Sequence, residues 1–261
     1  MIPLKDDIPT RRFPVVTVAI IVASVVVYFV FEQGLWNLGE TGNQRVLEYG
    51  AIPYEITHPG KECGGNAATG QVVCEGQQGV VGSAPDQAPW WLAAFTSMFM
   101  HGGLLHLGGN MLFLWIFGNN VEDSMGRPRF VAFYLLGGLV ALLSQVLIDP
   151  GATVPTVGAS GAIAAVLGGY AILYPHARVV TLIFIIIIFT VVELPALLVL
   201  GLWFLMQVAL GSAELGQPLG TSGGVAYFAH IGGFLFGLLL IKLLANRVHE
   251  DYEAQRRIPV Y

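Results

Sequence analysis

Charge is what this chain has least of. Only 11% of its 261 residues are Asp, Glu, Lys or Arg, against roughly 25% in a soluble domain. A fold bathed in water on all sides is therefore excluded. Twelve Lys and Arg against 17 Asp and Glu give a formal charge of −5, which offers no basic face for nucleic acid. Cysteine is nearly absent. Cys63 and Cys74 stand alone, with no cluster of further ligands to complete a zinc pattern, and a catalytic cysteine is not expected. Neither an internal repeat nor a separate soluble domain is visible.

What fills the chain is apolar. Hydrophobic residues make up 55% of it, with a mean hydropathy of +0.69. A membrane helix takes about 20 apolar residues, with a range of roughly 17–25. Runs of that kind cover 15–31, about 100–118, 130–148, 157–174, about 194–210 and 225–244. Six spans predict an all-α polytopic membrane protein, a six-helix bundle in a lipid bilayer. Many of the 33 glycines fall inside these runs, where small residues let helices approach closely. The stretch 179–210 is too long for one crossing. Glu193-Leu194-Pro195 divides it, the acid suiting a helix N-terminus and the proline a first turn. The β-branched run before it then lies at the interface or re-enters, unless the fifth helix is simply longer and tilted.

Lysine and arginine placement orients the chain. With the N-terminus inside, the inner segments hold Lys5, Arg11, Arg12, Arg127, Arg129, Arg178, Lys242, Arg247, Arg256 and Arg257, and the outer ones only Arg45 and Lys61. Both termini are expected in the cytoplasm, and 15–31 reads as an uncleaved signal anchor of a plasma or inner membrane. The expected division is a cytoplasmic N-terminus at 1–14, a helical domain at 15–245 that includes the outer loop 32–99, and a cytoplasmic tail at 246–261. That outer loop carries both cysteines. A disulfide between them can persist on the outer face, the alternative being two idle thiols. Trp90-Trp91 suits an interfacial belt. The glycine-rich loop 211–224 is a candidate lid.

Polar groups at membrane depth are functional candidates. Ser160 lies near the start of the fourth span and His230 one to two turns into the sixth; both spans run inward, as does the second. His106 and Asn110, four apart in the second span, share a helix face. All four fall in the outer half of the bilayer. A serine nucleophile with a histidine base is the minimal pair for acyl transfer. Asn110, His106 and the Ser160 backbone N–H, near the positive end of its helix, can serve a developing oxyanion. Gly158 and Gly161 leave room for a substrate backbone beside the serine. No Asp or Glu lies at matching depth to orient His230, so a dyad is expected. Each residue also has a plainer use. Ser160, Ala164 and Gly168 form a small-residue packing face, Asn110 and His106 can bond neighbouring carbonyls, and His101 can organise loop and water. Glu122 reads as an end-cap paired with Arg127 or Arg129.

The motifs His101-x4-His106-x3-Asn110, Gly158-x-Ser160-Gly161 and Ala229-His230-x2-Gly233-x3-Gly237, in this order, make the chain resemble the rhomboid family of intramembrane serine proteases. The resemblance covers roughly 15–245. It implies a six-helix core, a Ser160/His230 dyad, and an oxyanion site at Asn110, His106 and the Ser160 amide. It further implies transmembrane protein substrates cut near their outer ends beside small residues, with no cofactor or metal. Gly233-x3-Gly237 would bring the sixth helix against the fourth. Two positions depart from the family pattern. Leu92-Ala93 stands where many relatives have Trp-Arg, and Ala164 where some carry a Tyr stacked on the histidine. A catalytically inactive rhomboid-like protein that binds membrane clients is the first rival, and a small transporter the second.

Overall fold

The computed structural model describes residues 1–33, 42–66, 71–77, 80, 84, 87–185, 188–215 and 224–245. Most of the candidate lid and the whole of the tail 246–261 lie outside the described residues.

The chain opens with strand β1 (Ile2–Asp6) and enters helix α1 (Val15–Val26), which widens into a π-helical turn at Val27–Glu32. Two short helices follow, α2 (Gly42–Tyr49) and α3 (Pro53–Thr57), then the hairpin β2 (Cys63–Gly65) and β3 (Val72–Cys74), and α4 (Trp90–Thr96). A broken helical column comes next: α5 (Leu104–Phe113), a π-helical stretch at Leu114–Gly118, and α6 (Asn119–Met125). Then come α7 (Arg127–Ile148), α8 (Ser160–Leu173), strands β4 (Arg178–Ile185) and β5 (Ile188–Pro195), α9 (Ala196–Glu214) and α10 (Tyr227–Leu244). Among the described residues, four helices are long and apolar enough to cross a membrane: Val15–Glu32, Arg127–Ile148, Ala196–Glu214 and Tyr227–Leu244. The shorter α8 is apolar as well.

Helix α8 is the hub. Every residue from 161 to 171 is buried, and it packs chiefly against α10 and α7. Its alanines and glycines make this possible, because small side chains let backbones meet. A Cβ on Gly233 would strike the Gly161 carbonyl, one on Gly237 the Ala165 carbonyl, and one on Gly168 the Phe234 carbonyl. The surrounding helices turn large apolar side chains outward, as at Leu147 (72% exposed), Leu239 (75%) and Leu243 (79%). Such a surface is stable against lipid rather than water.

The all-helical expectation needs correcting. The chain is mostly helical, yet β1, β4 and β5 form a three-stranded antiparallel sheet in the order β1-β4-β5. The β-branched run at 179–192 is the cause: such side chains are stiff and suit a pleated surface better than a helix. Glu193 is a strand residue opposite Val180, not a helix start. Pro195 caps α9, which begins at Ala196. In the second small sheet Cys63 pairs directly with Cys74, and the two form a disulfide.

Glu122 does a different job from the expected ion pair. Its carboxylate accepts from the backbone N–H of Val16 (3.0 Å) and Thr17 (2.8 Å) and from the Thr17 hydroxyl (2.8 Å). Helix α1 begins after Pro14 and has no side-chain cap of its own, so a carboxylate from α6 supplies the acceptors its first turn lacks. Nearby, Asp6 accepts from the Asn120 amide (2.6 Å) and the Tyr170 hydroxyl (2.7 Å), and Tyr174 donates to the Asn120 carbonyl (3.1 Å). These contacts tie β1 to α6 and α8.

Candidate active site

At the opposite end of α8 lies a cavity of about 550 Å³, lined among others by His106, Asn110, Gly158, Ser160, Gly161 and His230. Ser160 is the first residue of α8. The loop before it is held by the Gly158 N–H donating to the Ser97 carbonyl at 2.8 Å. Gly158 has φ of +128°, and a Cβ there would come within 2.8 Å of the His106 ring. Glycine is thus required twice over, by the backbone and by the imidazole. A Cβ on Gly161 would overlap Ala141, so this glycine lets α7 close on the start of α8.

Across the cavity, His230 sits in the first turn of α10. Its Nε2 is 2.8 Å from the Ser160 hydroxyl oxygen, although 70 residues separate them. The glycine contacts of α8 with α10 produce this approach: Gly233, one turn beyond the histidine, lies on Gly161, one residue beyond the serine. His106 and Asn110 both lie on α5. Asn110 is buried, and its amide nitrogen has no partner among the described residues. A buried donor left unpaired costs about 1–3 kcal/mol, which a ligand oxygen would recover. As the first helical residue, Ser160 also has a backbone N–H without an intrahelical acceptor. His101 stands behind His106, their rings edge to face at 5.1 Å. Its backbone N–H donates to the Glu32 carboxylate (3.0 Å) and its Nδ1 meets the Phe99 carbonyl (3.2 Å).

Two neighbours of the histidine escaped the sequence reading. Gln207 of α9 places its side-chain oxygen 2.8 Å from His230 Nδ1, and the Trp203 ring lies 5.8 Å from the imidazole. The position held by Tyr in some relatives is the fully buried Ala164; the histidine is supported from α9 instead. A lone amide within the apolar run 194–210 was the available signal.

A membrane-embedded helical bundle with a serine–histidine pair in a pocket at one end of its central helix is the class defined by these features. The Rhomboid domain family model matches residues 88–247, and the chain belongs to the rhomboid family. "Rhomboid protein 1, mitochondrial" of Saccharomyces cerevisiae is 32% identical over 173 residues, 64% of this chain and 45% of that protein. "RHOMBOID-like protein 4" of Arabidopsis thaliana is 34% identical over 162 residues, 62% of this chain and 36% of that protein. "Rhomboid protease GluP" of Bacillus subtilis is 39% identical over 88 residues, 34% of this chain and 16% of that protein. The alignments thus span less than half the length of these relatives.

Proposed function

We propose that this protein is an intramembrane serine endopeptidase acting on transmembrane protein substrates through a Ser160–His230 dyad. The observation that carries the reading is the 2.8 Å contact between the Ser160 hydroxyl and His230 Nε2, made inside a cavity large enough for an extended segment of peptide. His230 takes the hydroxyl proton as Ser160 attacks the carbonyl carbon, then delivers it to the departing amine. Water entering the cavity releases the acyl group by the same steps in reverse roles. Three donors bordering the same cavity serve the oxyanion formed at each addition: the Asn110 amide nitrogen, His106, and the Ser160 backbone N–H at the positive end of α8. His101 supports His106 from behind.

The same reading takes the column from α5 to α6 and the central α8 as the remaining two spans of a six-helix bundle. At about 1.5 Å per residue α8 is shorter than a bilayer, and its 14 residues are shielded by neighbouring helices. The lysine and arginine bias supports cytoplasmic termini in a plasma or inner membrane, with residues 15–245 as the working domain. The disulfide and the cavity mouth then face outward.

The test is direct. In liposomes carrying the chain and a transmembrane substrate, Ser160→Ala or His230→Ala is expected to abolish fragment release, while both variants fold. Cleavage surviving in both rejects the assignment. Failure of a fluorophosphonate to label Ser160 in the wild type favours the client-binding alternative.

A further inference from the structure

We propose that Gln207 is a positioning residue that holds His230 in the one tautomer able to accept the serine proton. The proposal rests on the reading of Ser160 and His230 as nucleophile and base. Gln207 is 4% exposed. Its side-chain nitrogen donates to the Trp203 carbonyl one turn earlier on α9, at 3.4 Å. Its side-chain oxygen lies 2.8 Å from His230 Nδ1, and His230 Nε2 lies 2.8 Å from the Ser160 hydroxyl.

The direction of each bond follows from what each atom can do. A backbone carbonyl only accepts, so the NH2 of Gln207 turns toward Trp203 and the amide oxygen toward the histidine. An amide oxygen also only accepts, so Nδ1 must carry the hydrogen. A neutral imidazole has one N–H; Nε2 therefore presents its lone pair, and the Ser160 hydroxyl donates into it. The Trp203 carbonyl thereby sets the polarity of the whole chain of bonds. When the Ser160 proton moves to Nε2 the ring becomes a cation, Nδ1 keeps its bond to Gln207, and the proton later leaves from Nε2 to the amine. Gln207 exchanges no proton.

An amide suits this location. A carboxylate would orient the ring as well and favour the cation more, but an ionised group at membrane depth is costly. The elements around α10 bring little other charge to the site. Among the described residues, the titratable groups lining the same cavity are His106 and, at the end of α7, Asp149, while α7, α8 and α9 also offer the uncharged Ser144, Ser160 and Gln207.

The experiment compares wild type, Gln207→Leu and Gln207→Glu in the full chain, by cleavage in liposomes and by 15N NMR of histidine-labelled protein in micelles. Gln207→Leu should lower kcat about tenfold, equivalent to about 1.4 kcal/mol, with KM changed less than about twofold. Gln207→Glu should restore most of kcat and add a rise with pH as the new carboxyl ionises. In the NMR spectrum, wild-type His230 should be protonated at Nδ1 and bare at Nε2, a preference that Gln207→Leu loses. An unchanged kcat in Gln207→Leu, equal losses in both variants, or a wild-type His230 protonated at Nε2 overturns the proposal. The spectrum needs no turnover. A wild type that fails to cleave yet keeps the Nδ1 proton rejects the protease reading alone, whereas one that cleaves with the opposite tautomer rejects the role of Gln207 alone.

Discussion

The two ends of the central helix bury similar kinds of polar residue for different ends. Where α8 meets the sheet, Asp6, Asn120, Tyr170, Tyr174 and Glu122 sit among packed side chains and bond one another or the start of α1, although the Asn120 side-chain oxygen has no partner among the described residues. Where α8 begins, Ser160, His106 and Asn110 border open volume, and the Asn110 amide nitrogen keeps its capacity unspent. A polar network bonded mostly within itself rigidifies a fold. Unsaturated ones beside a cavity are poised for a ligand. In the proposed function the cavity, and not the residue type, separates structural from chemical use, and substitutions should divide in the same way.

The widest separation is expected from Ser160→Ala. Peptide hydrolysis should fall by about 10³-fold or more, while stability changes by less than about 0.5 kcal/mol, read by fragment release and by thermal melting of the same preparation. Equal losses in both would erase the distinction between the two ends. Next comes its mirror image at the sheet end. Glu122→Ala strands the Thr17 hydroxyl and two backbone N–H groups of α1, and should cost on the order of 3 kcal/mol of stability. Cleavage per folded molecule should stay at the wild-type level; a selective fall in kcat would move Glu122 into the chemistry.

Asn110→Ala should lower kcat by about 10²-fold, near 2.7 kcal/mol, with melting unchanged or slightly improved, because its amide nitrogen has no partner among the described residues. A large drop in melting temperature without loss of kcat would return Asn110 to the structural side.

The smallest effect is on pH. Burial pushes the Asp6 carboxyl up from 3.8 to about 6, against the lowering effect of the Tyr170 hydrogen bond. Burial also raises Glu55, beside the disulfide hairpin, from 4.5 to about 7, against the Cys63 N–H it accepts. In both cases the folded state holds a proton that the unfolded chain has already released. Stability should therefore decline as pH rises from about 4 to 6 for Asp6 and from about 4.5 to 7 for Glu55. Asp6→Asn and Glu55→Gln should each flatten the melting-temperature profile in its own window. Profiles parallel to the wild type would rule out these two groups as the source.

Much of the site was legible in one dimension because its chemistry is written in local motifs. Ser160 sits between one glycine its backbone needs and another that lets α7 pack closely, His106 and Asn110 stand one helical turn apart, and His230 precedes the glycines that dock its helix. The sheet was only half visible. The β-branched run before Glu193 pointed only to an interfacial or re-entrant segment, because its pairing with residues 2–6 depends on a partner strand far earlier in the chain. Glu122 was misread because its obvious basic neighbours, Arg127 and Arg129, are close in sequence, whereas its true partner Thr17 is 105 residues away.

Composition and spacing by themselves determined that this chain belongs in a membrane, which residues are candidates for acyl transfer, and which two cysteines could join. These follow from transfer free energy, helix periodicity and chemical type, all of them properties of short stretches. Only the tertiary structure decided that Gln207 contacts His230, that Glu122 caps α1, and that a cavity opens at the serine end. Those outcomes depend on how helices distant in sequence pack, and packing is set by the joint shape of many side chains rather than by any one segment.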